Sequence, residues 1–362
     1  MGSADVTEIR PGHEFDTSRL ASYLAAHIDG LSVGLTVRQF RGGQSNPTFL
    51  VESGTRRYVL RKKPPGQLLP SAHMVEREYR VMHALRDSGV PVIPTRLLCE
   101  DPSVIGTTFY LMDFAEGRIF RDPSLPGIPP AERREIYSAM GEVMARLHAV
   151  DWRAAGLDNF GKSTGYLARQ ISLWTRQYEA AKTHAIPAMD ELIRWLPAHT
   201  PAGETTTIAH GDFRLENLMY HPTEPRVIGV LDWELATLGH PLADVAYNCM
   251  IWHLDPVTPN LSGLAGRDLA ALGIPSEAEY LAGYAASARL GEIENYFFFL
   301  SFAFFRFASI AQGVYARALA GNASAPNALQ VGLLAAPLAE LGWKAARTEA
   351  RSDRRGTTAA GA

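Results

Sequence analysis

The sequence predicts an α+β protein with two lobes, a small β-rich N-terminal lobe and a larger, mostly helical C-terminal lobe. Near the N-terminus, β-branched and aromatic runs such as residues 48–52 and 57–61 are separated by turn residues, as successive strands are. Farther along, apolar residues recur at helical spacing through Ala- and Leu-rich segments. We therefore expect an N-terminal lobe over residues 1–113, a C-terminal lobe over 114–346 and a flexible tail over 347–362.

Turns and strands alternate through the N-terminal lobe. A glycine turn over residues 42–45 precedes the strand 48–52, and such a turn lets backbone N–H groups point at an anion. The turn residues are Gly42, Gly43, Gln44 and Ser45. Ser-Gly-Thr then joins this strand to 57–61 as a hairpin. A helix follows and ends before Gly89, and a last strand lies within "GTTFYLMDFAEG".

Helices dominate the C-terminal lobe. "PPAERREIYSAMGEVMARLHAV" begins with prolines and has apolar residues at helical spacing. "VIGVLDWE" is an apolar, β-branched run that predicts a buried strand, and helices follow over about residues 241–346. "NYFFFLSFAFF" is the most apolar segment. Glu294 and Arg306 bound it, so it is too short to span a bilayer, and we expect a buried helix.

Composition and charge narrow the classes of partner. The chain has 362 residues, a net charge of −3, 46% hydrophobic residues and 20% charged residues, which is ordinary for a globular protein. This charge gives no reason to expect nucleic acid or an anionic membrane as a partner, and it does not indicate an oligomeric state. Two cysteines, Cys99 and Cys249, make neither a disulfide framework nor a zinc site. Without a secretory signal, we expect a cytoplasmic protein.

The segment "HGDFRLEN", residues 210–217, has the groups that phosphoryl transfer requires. Such a site needs a carboxylate that accepts the proton of the attacking hydroxyl, and ligands that hold Mg²⁺ against the phosphates. Asp212 can be that base, and Asn217 can bind a metal through its amide oxygen. Asp232, at the end of "VIGVLD", supplies a second oxygen ligand. This is the order of the protein-kinase catalytic loop and its metal-binding aspartate, and it predicts an ATP- and Mg²⁺-dependent kinase.

Upstream residues match the remaining needs of such a site. A kinase-like site requires a cation on the strand after the phosphate turn, paired with a carboxylate on the next helix. Arg61 ends the strand "YVLR", and Glu78 lies 17 residues later on the predicted helix. The link from Asp113 to Ala115 is placed to offer backbone groups to an adenine. Two further residues flank the reactive centre and are candidates for substrate contact, Arg214 and Glu234.

With these motifs, the chain resembles the aminoglycoside phosphotransferase and choline kinase-type family, whose members have a protein-kinase-like fold. The resemblance runs from about Phe40 to about Trp343, and "HGDFRLENLMYHPTEPRVIGVLDWELATLGHPLADVAY" is a long match. "YVLRKKPPGQLLPSAHMVEREYRVMHAL" is more specific, and is similar to the kinase-like domain fused to certain acyl-CoA dehydrogenases. The resemblance implies ATP and Mg²⁺ as cofactors and a small-molecule hydroxyl as acceptor. The dehydrogenase-linked relatives suggest a hydroxylated acyl group on CoA.

The resemblance also implies roles for single residues. It makes Asp212 the catalytic base, and it makes Asn217 and Asp232 the Mg²⁺ ligands. Asp244 matches a family aspartate that braces the catalytic loop from behind, and His210 matches a structural position.

The chain departs from the family at the phosphate-binding cation. Members that act on aminoglycosides have lysine where Arg61 stands, and Glu78 would pair with this cation. An arginine is a rigid fork and does not act as the compact point charge of lysine. Lys62 or Lys63 could take part instead, although strand alternation directs Lys62 to the opposite face.

Other functions fit parts of the sequence. A catalytically weak or inactive kinase-like ATP-binding module is favoured by Arg61, although the predicted base and metal ligands are all present. Aminoglycoside phosphorylation is disfavoured, because the C-terminal tail is basic where drug-modifying members have acidic groups. A metallohydrolase would leave the glycine turn unexplained. Its metal cluster would consist of His210, Asp212, Asp232, His240 and Asp244.

Overall fold

The computed structural model describes residues 6–31, 34–41, 46–65, 73–258, 262–322 and 327–359, with side chains as far as residue 350. The chain forms two compact units that alternate along the sequence. Unit 1 comprises Met1–Phe120, Arg153–Leu157 and Glu216–Ala236, and unit 2 comprises Arg121–Trp152, Asp158–Leu215 and Thr237–Ala362. The predicted lobes are consecutive, and their boundaries at residues 113 and 346 stay predictions.

Unit 1 contains an antiparallel sheet of six strands in the order β1-β2-β3-β4-β6-β5. The elements up to the end of this sheet are β1 Val6–Thr7, α1 Thr17–His27, β2 Thr36–Phe40, β3 Thr48–Ser53, β4 Arg56–Lys62, α2 Val75–Leu85, β5 Thr95–Cys99, α3 Pro102–Ile105 and β6 Phe109–Asp113. β3 and β4 form the hairpin that the sequence predicts. Gly54 lies in its turn with a φ of 60°, a left-handed conformation that favours glycine.

Alternation along β4 directs its side chains to two faces of the sheet. Tyr58 and Leu60 belong to the larger hydrophobic cluster, which includes α1, while Val59 belongs to a cluster on the other face. Arg61 lies on the same face of the sheet as Val59. Lys62 lies on the face of Tyr58 and Leu60, and its Nζ is 5.2 Å from the centroid of the Phe15 ring. The sheet therefore separates the two cations, as the alternation of the sequence predicts.

The rest of the chain supplies most of the helices and two short antiparallel strand pairs, β7 with β10 in unit 2 and β8 with β9 in unit 1. The elements are α4 Pro130–His148, α5 Tyr166–Ala181, α6 Pro187–Ala198, β7 Thr207–Ala209, β8 Leu218–Tyr220, β9 Val227–Val230, β10 Thr237–Gly239, α7 Pro241–Cys249, α8 Leu269–Leu272, α9 Glu277–Ser287, α10 Tyr296–Leu319, α11 Ala328–Gly332 and α12 Ala335–Ala359. The last helix thus includes most of the predicted tail.

The β8–β9 hairpin brings the two predicted metal ligands to the same end. Asn217 directly precedes β8, and its carbonyl accepts the N–H of Leu231 at 2.8 Å. Leu231 is the residue before Asp232. β9 also packs tightly within unit 1, since a Cβ on Gly229 would lie 2.6 Å from Ile93 Cδ1. The hairpin is therefore a close-packed support for both ligands.

Helix α10 is longer than the apolar segment predicted to form a buried helix. It has 24 residues, and by length and composition it could cross a membrane. However, 67% of its apolar window is buried inside the protein, where it packs against α5, α6, α7, α11 and α12, as a core helix does. Arg306 bounds the apolar segment in the sequence but lies within the helix, where its guanidinium has partners in unit 2. It donates to the Gly211 carbonyl and lies over the rings of Trp174 and Tyr247.

Candidate functional site

In unit 1, Arg61 lies among three carboxylates. Its Nε is 3.0 Å from Glu78 Oε2, and its Nη2 is 2.9 Å from Asp232 Oδ1 and 3.6 Å from Glu234 Oε2. We call these four residues the Arg61 cluster. Burial would lower the pKa of Arg61, but the neighbouring acids, Glu78 foremost, raise that pKa, so the guanidinium stays charged. One positive charge therefore faces three acids.

Glu78 is the most buried acid of the Arg61 cluster, with 1% of its surface exposed. Its Oε1 accepts a hydrogen bond from Asn46 Nδ2 at 2.8 Å, and its Oε2 accepts one from the Tyr110 hydroxyl at 3.1 Å. Tyr110 lies on β6 directly opposite Arg61 in the sheet register. Three side chains therefore hold this carboxylate, and it in turn holds the Arg61 guanidinium.

Burial raises the pKa of Glu78 to about 7. The charge of Arg61 acts against this rise, while Asp232 and Glu234 add to it, and the Tyr110 hydrogen bond opposes it. Burial outweighs the ion pair because the three carboxylates share a single guanidinium. The folded protein therefore binds a proton on Glu78 more tightly than the unfolded chain, in which the glutamate pKa is near 4.5.

We expect this proton to make stability depend on pH. The contribution of Glu78 to the free energy of unfolding is largest below the unfolded pKa, and it is lost as the pH rises through about 7, with a slope of at most about 1.4 kcal/mol per pH unit. Urea unfolding of the wild type and of Glu78→Gln should therefore show a stability difference that declines from about pH 5 to about pH 8. Glu52→Gln, which removes the half-exposed partner of Arg38, is the control, and its difference should be flat. A flat difference for Glu78→Gln would contradict the prediction.

The end of the β8–β9 hairpin suits a divalent cation. Asp232 has a φ of 61° and a ψ of 62°, a left-handed conformation that is uncommon outside glycine and that concentrates at functional sites. Its carboxylate and the Asn217 amide are the kind of oxygen donors that Mg²⁺ takes. The excess of negative charge in the Arg61 cluster is what a bound cation would balance. The residues present fit Mg²⁺, and their role as its ligands stays a prediction.

The surroundings of Arg61 also concern the predictions made for Glu234 and for Lys62 and Lys63. The sequence makes Glu234 a candidate for substrate contact, whereas its carboxylate lies 3.6 Å from Arg61 Nη2. Lys63 Nζ pairs with Glu76 at 2.8 Å, and Lys62 lies on the opposite face of the sheet. Arg61 is therefore the member of this run of cations that meets Glu78.

In unit 2, Asp244 holds the backbone beside Asp212. Its carboxylate accepts the N–H of His210 at 2.6 Å and the N–H of Gly211 at 2.8 Å. Gly211 has a φ of 81°, in the left-handed region that glycine allows without steric strain. His210 Nδ1 accepts the N–H of Asp212 at 3.2 Å. The Asp244 carboxylate and the His210 ring therefore bind the backbone on the N-terminal side of Asp212, and the family roles of His210 and Asp244 stay predictions.

Asp244 is kept charged by its neighbours. Burial would raise its pKa, but the hydrogen bond and charge of His148, with His210 and the Gly211 N–H, hold that pKa below its usual value. His148 Nε2 lies 3.4 Å from Asp244 Oδ2, and His148 Nδ1 lies 2.8 Å from the Tyr284 hydroxyl. The carboxylate is therefore ionised at neutral pH, and its contribution to stability is lost only as the pH falls below the normal aspartate range.

Residues that a metallohydrolase would use as ligands have structural partners. His240 Nδ1 accepts the N–H of Leu242 at 3.2 Å and caps α7. Burial, together with the charge of His148, lowers the pKa of His240 to about 4, so its ring is neutral. In the described part of the chain, no group of three or more His, Cys, Asp or Glu side chains is arranged to hold a metal ion. The geometry gives the hydrolase alternative no support there.

The predicted nucleotide contacts have these positions. Gly42, Gly43, Gln44 and Ser45 lie outside the described residues. Asp113 ends β6, and its carboxylate accepts two hydrogen bonds of 2.6 Å from Arg96. The Asp113 N–H donates to the Pro94 carbonyl at 2.9 Å, so it is already used, and Ala115 lies in the irregular segment after β6. An adenine contact along this link stays a prediction.

Sequence reasoning missed several side chains next to residues 210–213, which we call the catalytic segment because Asp212 is the predicted base. The Tyr247 hydroxyl donates to Asp212 Oδ1 at 2.6 Å, and Arg214, which was predicted, has its Nε 3.7 Å from the same oxygen. Tyr247 lies three residues after Asp244, so helical spacing was an available signal. No sequence signal pointed to Arg306, because it lies 95 residues from Gly211 in the chain. No sequence signal pointed to Asn46 and Tyr110 either, each of which lies 32 residues from Glu78.

Comparison with known proteins places the chain in a family. Residues 36–286, more than half of the chain, match the model of the phosphotransferase enzyme family, APH. The chain belongs to this family. The membership confirms the resemblance found in the sequence and supports a kinase-like phosphotransfer function for the chain.

The similar proteins include members of the acyl-CoA dehydrogenase family. The chain is 48% identical over 350 residues to acyl-CoA dehydrogenase family member 10 of Mus musculus, covering 96% of the chain and 33% of that protein. It is 44% identical over 347 residues to family member 11 of Homo sapiens, covering 94% of the chain and 44% of that protein. The chain thus spans less than half the length of these two relatives.

Solved structures share the fold. A protein of Ralstonia eutropha JMP134, provisionally assigned as an aminoglycoside phosphotransferase, is 48% identical with a TM-score of 0.86, covering 92% of this chain and 99% of that one. The aminoglycoside phosphotransferase APH(4)-Ia, in a ternary complex with AMP-PNP and hygromycin B, is 19% identical with a TM-score of 0.59, covering 91% and 98%. These structures confirm the predicted α+β, kinase-like fold.

Proposed function

We propose that this protein transfers the γ-phosphoryl group of ATP to a hydroxyl group of a small molecule, with Mg²⁺. The observation that supports this most strongly is the Arg61 cluster. It combines a charged guanidinium, braced by buried Glu78, with Asp232 at the same hairpin end as Asn217. This set can provide a cation for the phosphates and oxygen ligands for a metal. The AMP-PNP complex of APH(4)-Ia supports the choice of nucleotide.

Each residue then has a defined part in the reaction. Asp212 accepts the proton of the acceptor hydroxyl while the hydroxyl oxygen attacks the γ-phosphorus. The bond from the γ-phosphorus to the bridging oxygen breaks, and ADP leaves with that oxygen. Arg61, oriented by Glu78, binds the phosphates. When bound by Asn217 and Asp232, Mg²⁺ supplies charge neutralisation at the phosphates.

The acceptor that we propose is a hydroxylated acyl group carried as a CoA thioester. The support is the 44% to 48% identity to acyl-CoA dehydrogenase family members 10 and 11 over nearly the whole of this chain. An aminoglycoside is the less favoured acceptor. The C-terminal residues of this chain include arginines at positions 347, 351, 354 and 355, which are not the acidic groups that would bind a cationic sugar.

One contact favours a second candidate, a nucleotide-binding module with little or no turnover. Arg61 Nη2 lies 2.9 Å from Asp232 Oδ1, on the carboxylate that a metal would need. The guanidinium contacts Glu78 through Nε and Asp232 through Nη2. A lysine would have only one nitrogen for both carboxylates, so it would hold Asp232 less firmly. If the fork keeps Asp232 from the metal, ATP binds without being consumed.

ADP release from Mg-ATP separates the two candidates. We would measure it with hydroxyacyl-CoAs, free hydroxy acids, choline, homoserine and an aminoglycoside as acceptors, and ATP binding by calorimetry. We expect a hydroxyacyl-CoA to stimulate release, and we expect the stimulation to vanish when Mg²⁺ is omitted, because the phosphate charge is then unbalanced. Binding of ATP with no stimulated release would favour the module. No binding of ATP would reject both candidates.

A further inference from the structure

One face of α7 contacts four consecutive residues of the catalytic segment. Asp244, Tyr247 and Asn248 have the spacing i, i+3 and i+4, which places them on the same side of a helix. Asp244 accepts the N–H groups of residues 210 and 211, as described above. Tyr247 donates to the Asp212 carboxylate, and Asn248 Nδ2 donates to the Phe213 carbonyl at 3.1 Å. The helix therefore controls the backbone before and after Asp212 and also its side chain.

The contact of Tyr247 is the one that reaches the reacting group. Its hydroxyl lies 2.6 Å from Asp212 Oδ1, a short distance that is typical of a hydroxyl donating to a carboxylate. Burial, then the charge of Asp212, raise the pKa of Tyr247, against the opposing charges of Arg214 and Arg306. The Tyr247 hydroxyl therefore stays protonated at neutral pH and donates its hydrogen bond to Asp212 Oδ1.

Arg306 connects this tyrosine to the backbone of the segment. Its Nη2 donates to the Gly211 carbonyl at 2.9 Å, and its guanidinium carbon lies 5.5 Å from the centre of the Tyr247 ring. The Trp174 ring lies 5.6 Å from the same carbon. A planar guanidinium can stack on rings and donate in its plane at the same time, which an ammonium cannot do.

We infer that Tyr247 is a positioning residue for Asp212, and that Arg306 holds Tyr247 and the Gly211 peptide in register with it. The inference rests on the proposed function, in which Asp212 accepts the proton of the acceptor. Because Tyr247 holds Asp212 Oδ1, the carboxylate has a defined plane and a defined direction toward the acceptor. A base displaced by about 1 Å loses up to about 10²-fold in rate.

Replacement of Tyr247 by phenylalanine tests the inference through kcat and its pH dependence. The probes are hydrolysis of Mg-ATP, with water as acceptor, and transfer to the acceptor found with the panel. We expect kcat to fall by about 10- to 100-fold, while KM for ATP changes by less than about 2-fold. We also expect the acid limb of the kcat profile to move to higher pH, because the carboxylate loses a donor that stabilises its charged form. A residue with only a structural role would not move that limb.

Tyr137→Phe is the matched control. The Tyr137 hydroxyl is also buried and also donates at 2.6 Å, but to the Pro123 carbonyl, away from the catalytic segment. This variant should keep the kcat and the pH profile of the wild type. Equal effects of the two substitutions on kcat and on the acid limb would overturn the inference.

The outcomes separate this inference from the proposed function. A wild type that turns over ATP, with a Tyr247→Phe variant that matches it at every pH, rejects the inference and leaves the function standing. A wild type that turns over no ATP rejects both. If Tyr247→Phe does not fold, Arg306→Lys is the second variant, since lysine cannot donate to Gly211 and stack on the ring together. It should lower kcat by about 10-fold with KM for ATP retained, and an unchanged kcat would count against the inference.

Discussion

Asp212→Asn is expected to lower acceptor-dependent ADP release by about 10²- to 10⁴-fold, the usual contribution of a positioned general base. Asparagine has nearly the same shape as aspartate, and the amide oxygen can still accept the Tyr247 hydroxyl, so the local structure should persist. The amide cannot take the proton from the acceptor hydroxyl. The loss should therefore appear in kcat, and the affinity for ATP, which we assign to the Arg61 cluster, should change little.

The measurement is steady-state ADP release beside ATP binding by calorimetry. Asp190→Asn is the control, because Asp190 is a half-exposed aspartate of unit 2 that pairs with Lys182, and its removal should leave both quantities unchanged. If Asp212→Asn retained more than about a tenth of the turnover, Asp212 would not be the base. A loss of ATP binding together with turnover would instead indicate damage to the fold.

The second large effect is expected for Asp244→Asn, on stability and on turnover. The carboxylate accepts the N–H groups of His210 and Gly211 with separate oxygens, and Asp244 is 2% exposed. An amide offers one oxygen and turns an NH₂ group toward the other N–H, so one buried donor is left without an acceptor. Hydrogen bonds to a charged group contribute about 1.5–3 kcal/mol, and an unsatisfied buried donor costs about 1–3 kcal/mol. We expect the free energy of unfolding to fall by about 3 kcal/mol.

Urea unfolding gives the free energy of unfolding. Turnover, which should fall because the backbone beside Asp212 is no longer held, is measured well below the melting temperature of the variant. Asp268→Asn is the control: Asp268 accepts the N–H of Ala271 at 3.0 Å as an exposed helix cap, where asparagine caps as well as aspartate. Its substitution should change the free energy of unfolding by less than about 0.5 kcal/mol. If Asp244→Asn were equally mild, the two backbone hydrogen bonds would not hold the catalytic segment.

The residues that the sequence could predict are those whose relation is set by short stretches of chain. Asp212 and Asn217 lie five residues apart, and the β8–β9 hairpin then returns the chain so that Asp232 follows at the same end. The Arg61–Glu78 pair joins adjacent elements, β4 and α2, and the structure places their charged atoms 3.0 Å apart. In each case spacing and alternation restrict the possible geometry.

The apolar pattern predicted α10 as a buried helix but not its full length. Arg306 reads as the end of the apolar segment, because a charge in the sequence has no visible partner. In unit 2 its guanidinium donates to the Gly211 carbonyl and lies over the rings of Trp174 and Tyr247, and the helix continues past it to Leu319. Burial of a charge depends on its partners, and here the partner lies 95 residues away.

By itself, the sequence determined the fold class, the family and the segment that contains Asp212, because each depends on local periodicity and on a long contiguous motif. The tertiary structure decided which side chains meet that segment and the phosphate-binding cation. Tyr247 and Arg306 reach the catalytic segment only once α7 and α10 have packed in unit 2, and Glu234 faces Arg61 only once the hairpin has packed in unit 1. Contacts between distant residues follow from the packing of whole elements, and no short stretch of chain specifies that packing.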